Sequence, residues 1–247
     1  MPDLRRPAVA LLSSVTAVPS YGEAVSPVPP PGEADRFGAG ARAEFAEFDT
    51  VAAALRAAME GQRAELSLRE TPGPTKLAPR SLAVLASVRS PHAGHSVVTH
   101  SGNGDDEATD EIAVGRLVLL HDPAGQAAWD GTFRIAVFAR ADLDPEMGAD
   151  PMLPEVTWSW LEESLAASGA TADALGGTVT VTRSSRFGAL VEADDEGSSE
   201  VELRCSWTPR WDDEPGRHLQ AFGDMLCDLA GLPPDLPGVV AFTARRR

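Results

Sequence analysis

Apolar positions recur along this chain with two periods, and the switches between them divide it into elements. From Ala43 onward, Phe45, Phe48, Ala52, Leu55 and Met59 fall three or four residues apart, one stripe of an amphipathic helix. Gly61 is placed to end that helix in the left-handed region. Leu66 and Leu68 alternate with polar neighbours as a short strand, and TPGPT breaks the chain. Leu77–Val88 then carries Leu82, Val84 and Val88 on one face and Leu85 on the other. Ile112–Leu120 is apolar on both faces, which predicts a strand in the middle of a sheet. Phe133, Ile135 and Val137 alternate against Arg134 and Ala136 in its hairpin partner. The joining HDPAGQAAWDG is a loop longer than a tight turn needs. Pro154 suits the first turn of a helix with Trp158, Leu161 and Leu165 on one stripe. Val156 and Trp160 make a second stripe about 200° away. A single sheet face cannot receive both, so the second stripe is predicted to meet the leader, a partner, a ligand or another copy. Gly176–Thr182 and Glu200–Trp207 alternate as two further strands. Asp213-Glu214-Pro215 opens a last helix with Leu219, Phe222, Leu226 and Leu229 buried, and Gly231 ends it.

The order α-ββ-ββ-α-ββ-α, with strands in hairpin pairs, predicts the α+β class: a mainly antiparallel sheet of about six strands with three helices. Residues 43–238 form one domain behind a Pro/Gly/Ala-rich leader, 1–42, expected to be disordered, and ahead of a tail at 239–247. Residues 90–111 read as a flexible His- and acid-rich insertion loop. Arg5-Arg6 before Pro7–Val18 has the outline of a signal peptide, but the apolar run is short, is interrupted by Ser13, Ser14 and Thr16, and lacks a small-x-small cleavage site.

Composition narrows the function. The net charge of −16 works against phosphate contacts, so no nucleic acid is expected as a partner. No apolar run is long enough to span a bilayer, so no membrane is expected either. Cys205 falls in a strand pattern and Cys227 on a helix, a spacing that makes neither a disulfide framework nor a metal site. Buried thiols in a cytoplasmic protein are the reading.

The chain has no phosphate-binding glycine loop, nucleophile elbow, zinc-binding helix or paired C-x-x-C motif. His92, His95 and His100, with Asp105, Asp106, Glu107, Asp110 and Glu111, lie on flexible sequence without a rigid scaffold, and are read as solvated loop rather than metal site. Asp142, Asp144, Glu146 and Asp150 lack the order of a calcium loop and sit ahead of a helix start. No catalytic residue, metal or cofactor is assigned. The candidate binding surface consists of His121, Asp122, Trp129, Asp130 and Arg134 around the hairpin, with Val156 and Trp160 on the helix. Adjacent His and Asp at a strand end cap a turn more readily than they form a base. Trp129 folds back as a lid or projects as an anchor.

The blocks GRLVLLHDPAGQAAWDGTFR, LDPEMGADPMLPEVTWSWL, CSWTPR and DMLCDLAGLPP, spread over about residues 45–238, closely resemble an actinobacterial family, Domain of Unknown Function 3000. The resemblance implies an intracellular actinobacterial protein and carries over no activity and no site residues; the leader and residues 90–110 depart from the family pattern. The element order is also similar to that of secretion-chaperone-type folds, which bind protein clients, with four strands in place of three before the middle helix. The function expected is therefore a non-enzymatic protein-binding or adaptor module, with a protein partner or a homodimer. The alternative is a small-molecule enzyme or sensor with a pocket near the 114–134 hairpin, lined by His121, Asp122, Trp129 and Arg134.

Overall fold

The computed structural model describes residues 39–90, 111–188, 197–211 and 214–233. Residues 1–38, 91–110 and 239–247, which hold most of the expected leader, the insertion loop with its three histidines, and the tail, lie outside the described residues. The elements are α1 (Ala39–Ala57), β1 (Leu66–Pro72), β2 (Arg80–Arg89), β3 (Glu111–Gln126), β4 (Gly131–Leu143), α2 (Pro145–Gly148), α3 (Leu153–Ser168), β5 (Ala172–Ser184), β6 (Ser198–Pro209) and α4 (Gly216–Leu229). This is the expected α+β order, with the one-turn α2 added before α3.

The six strands form one antiparallel sheet in the order β1-β2-β3-β4-β6-β5. The first four follow one another through hairpins. From β4 the chain passes through α2 and α3 to the far edge, lays down β5 there, and returns as β6 between β5 and β4.

Strand period two sends alternate side chains to opposite faces. On one face, Leu82, Val84 and Val88 of β2, Leu117 and Leu119 of β3, Ile135 and Val137 of β4, and Val201, Leu203 and Trp207 of β6 are buried in a single core. The helices cover this face. In α1, Phe48, Val51, Ala52 and Leu55 point inward. The helix tightens after Ala57 through Met59 N–H to Arg56 C=O (3.1 Å) and Glu60 N–H to Ala57 C=O (3.2 Å), then leaves through Gly61 at φ 75°. In α4, Leu219, Phe222, Leu226 and Leu229 are buried as expected, together with Met225 and Cys227. Gly231 at φ 69° ends it, with Leu232 N–H bonding Cys227 C=O at 3.0 Å, a Schellman closure.

The helix α3 departs from its expected packing. Its buried stripe is Leu153, Thr157, Leu161, Ser164 and Leu165. Trp158 and Trp160 flank that stripe on either side, and both pack half-buried against the main core. The requirement that one tryptophan find a foreign partner therefore falls away; only Val156, 38% exposed, stands clear. Two small polar side chains, Thr157 and Ser164, are buried in the same stripe as Leu161 and Leu165, which the apolar pattern alone did not mark.

The other face of the sheet is different. Leu85, Val114, Val118, Ala136 and Phe138 lie there half-buried among Arg116, Arg134, Arg140 and Arg204. Among the described residues no helix packs on it. The two-sided apolar pattern of β3 marks a central strand, as expected.

The fit of α4 to the sheet turns on Gly115. A Cβ at this position would lie 2.9 Å from Cζ of Phe222. Gly115→Val is expected to force the helix outward and lower stability by about 1–3 kcal/mol, read as a reduced urea midpoint at unchanged slope.

Candidate functional site

The expected loop between β3 and β4 is mostly strand. Ladder pairing runs to His121↔Phe133, passes an irregular bulge, and resumes at Gln126↔Gly131. Only Ala127–Asp130 form the tip, and Asp130 adopts φ 53°. Pro123 falls inside the bulge, where no ladder donor is required. Asp122 holds the bulge together: its carboxylate accepts from Ala124 N–H and from Gln126 Nε2, both at 3.1 Å. This is the turn-capping role, not the orientation of a base.

His121 is fully buried on the helix-covered face. Its ring stacks on Phe133 with centroids 4.2 Å apart, and on Phe48 of α1 at 5.9 Å. The aromatic series continues from Phe133 edge-on to Trp211 (5.2 Å) and from Trp211 to His218 (5.5 Å). Trp207 Nε1 donates to Nδ1 of buried His218 at 3.2 Å. An indole only donates, so this bond fixes Nδ1 as the unprotonated nitrogen. Sequence reasoning did not find this second histidine, because His218 sits one residue before the apolar stripe of α4 and carries no local motif.

Arg134 is adjacent to Phe133 in sequence and so points to the opposite face from His121, which pairs with Phe133. The two residues proposed to line one pocket are separated by the thickness of the sheet. On the open face Arg134 is committed to structure. Its Nη1 donates to Thr208 Oγ1 (3.0 Å), and its Nη2 faces Ala174 C=O (3.1 Å), Ser206 C=O (3.1 Å) and Ser206 Oγ (2.8 Å). Burial lowers its pKa from the ordinary arginine value, partly opposed by Cys205. These bonds clamp the point where β5 slips register against β6, between Asp173 and Gly176, with Ala174 at φ 48°.

Trp129 folds back as a lid, 9% exposed, and forms a small second core with Ala78 and Leu120 on the open face, Val118 beside them. Its carbonyl accepts from Thr208 Oγ1, the same hydroxyl that receives Arg134. The structure thus brings Trp129 and Arg134 together through Thr208. It leaves Asp130 exposed at the tip, encloses His121 on the other side, and puts Val156 and Trp160 in the helical layer.

Two concave regions border these residues. One of about 380 Å³ lies at the end of the sheet, lined by Asp130, Phe133, Asp173, Arg210 and Trp211 among others, with Arg210 paired to Asp173 at 2.8 Å. The other, of about 490 Å³, is a depression in the open face floored by Val118, Ala136 and Phe138 and bordered by Arg116, Arg204 and Ser206. Arg204 lies over the Phe138 ring at 5.3 Å and is held by Glu202 at 2.6 Å. Arg116 donates to Pro72 C=O at 3.3 Å, and its Nε is buried without a hydrogen-bond partner among the described residues. Asp142 and Glu200 pair across the same face; burial pushes both carboxyls up, with Arg140 opposing.

The loop acids have local duties. Asp144 caps α2, accepting from Glu146 N–H at 2.9 Å, and Asp150 accepts from Met152 N–H at 2.8 Å. Among the described residues no three His, Cys, Asp or Glu side chains are grouped to hold a metal. No helix among them is long and apolar enough to cross a membrane.

A fold of this kind, an antiparallel sheet whose helices, among the described residues, lie on one face, defines a class of architecture rather than a chemistry. The family model for the protein of unknown function DUF3000 matches residues 44–240, and the chain belongs to that family. Comparison with curated proteins and with solved structures gives no match to either.

Two measurements check the site. Arg134→Ala is expected to cost about 1–2 kcal/mol of stability, since a charged donor set is lost and partly buried acceptors are left behind. The loss should appear in chemical denaturation, with hydrogen exchange rising first around Ala174. Burial pushes the Cys205 thiol up to about 12 and the Cys227 thiol up to about 11. Neither should react with a disulfide reagent at pH 8 in the folded protein, and both should react in denaturant.

Proposed function

We propose that this protein is a non-enzymatic, cytoplasmic protein-binding module that receives its partner on the open face of the sheet. The observation that supports the reading is the depression among Arg116, Phe138 and Arg204. It is an apolar floor large enough for a bulky side chain, rimmed by guanidiniums, on a face that carries no helix among the described residues. Arginine and aromatic residues of this kind are over-represented among the anchors of protein interfaces. The partner segment that fits offers an aromatic or branched apolar side chain to the floor and a carboxylate to Arg116. The two buried thiols are compatible with a reducing compartment.

The small-molecule alternative is less well supported, because the groups it depends on diverge. His121 and Arg134 occupy opposite faces of the sheet, and Asp122 and Arg134 are engaged in holding backbone.

Selection of displayed random peptides against the full chain tests the reading. Enriched sequences should combine an aromatic or branched apolar residue with acidic neighbours. Phe138→Ala should weaken binding by about 2 kcal/mol while the fold persists by circular dichroism. Failure to enrich, or binding indifferent to Phe138, would count against this surface.

A further inference from the structure

The two edges of the sheet are unequal. The strand β1 is short, carries Arg69 and Glu70, ends in Pro72, and has Glu70 tied to Arg56 of α1 at 2.8 Å. Charges and proline are the usual means of keeping an edge from pairing. The strand β5 is longer and, from Ala174 to Thr182, contains neither a charge nor a proline. Among the described residues it pairs only with β6, so one of its sides carries an unused row of backbone donors and acceptors. The irregularity clamped by Arg134 confines the regular free ladder to Gly176–Ser184.

We propose that β5 pairs antiparallel along this edge with β5 of a second copy of the chain, about a two-fold axis at Thr180. The sequence is self-complementary in that register. Val179 of each copy meets Val181 of the other on the helix-covered face, where both are only half-buried against the core. Thr178 meets Thr182, and Thr180 meets its own counterpart, on the open face. Arg183 falls opposite Gly177, so no like charges are apposed, and valine and threonine pairs are favourable across strands. An isologous contact of this kind requires one patch to complement itself, which β1 with its arginine and glutamate does not. The pairing is independent of the open-face reading: Phe138→Ala should leave it intact.

Sedimentation of the full chain across concentrations up to about 100 μM tests the proposal. The wild type should approach twice the mass of one chain. Thr180→Lys, which lies beside Glu202 in register and is therefore tolerated within the sheet, puts two ammonium groups against each other at the axis. It should weaken association by about tenfold or more. Mixing Thr180→Lys with Thr180→Glu should restore a pair made of one copy of each. If Thr180→Glu does not fold, hydrogen exchange on the wild type decides. Amides in Gly176–Ser184 should become protected as concentration rises. A wild type that stays monomeric, a dimer indifferent to Thr180→Lys, or exchange in β5 independent of concentration would each overturn the proposal. A monomer whose β5 edge is protected only by a different protein would overturn it as well.

Discussion

The close approach of α4 to the middle of the sheet is the contact on which the rest of the arrangement depends. Phe222 reaches the backbone of β3 only because Gly115 offers no side chain there. With α4 seated this low, Leu219, Met225 and Leu226 fill the centre of the core, and α1 and α3 are left to cover its margins. The long helices among the described residues are thereby committed to one face. The second face, with its mixture of guanidinium and half-buried apolar groups, follows from that commitment as much as from its own sequence.

Much of this was legible along the chain. The alternation Val201, Leu203, Cys205, Trp207 marks β6 residue for residue, because a half-buried strand writes its register into every second position. The stripe of α4 and its glycine stop were equally clear. The candidate site was legible only in part, for a physical reason. Whether His121 and Arg134 share a pocket depends on cross-strand register, and register is decided by long-range pairing. Once His121 stands opposite Phe133, Arg134 has no choice but the far side. The burial of Trp129 is likewise set by Thr208 and Ala78, neither of them near it in sequence. In α3 the pattern was incomplete because the buried stripe holds a threonine and a serine beside its leucines. Hydrophobicity identifies what leaves water, and close helix packing also selects what is small.

The polar residues that first drew attention do structural work. Asp122 ties a bulge, Arg134 clamps a slipped strand, Asp144 caps the start of α2, and Asp150 holds the turn ahead of α3. Each satisfies backbone groups that the chain's irregularities would otherwise leave bare, which is why they cluster where regular pairing fails. The residues that the surface leaves for recognition, Arg116, Phe138 and Arg204, sit in the most regular part of the sheet, where the backbone needs no help.

The blocked edge at β1 has a consequence for growth. A sheet with two bare sides can extend without limit, each added chain exposing a fresh template, and such ladders lead to fibres. A sheet capped by Pro72 and the Arg56–Glu70 pair on one side has a single valence. Whatever strand docks along β5 saturates it, and the ladder stops there. The asymmetry of the two edges thus works as a chain terminator, allowing a long threonine- and valine-rich strand to be exposed without open-ended polymerisation.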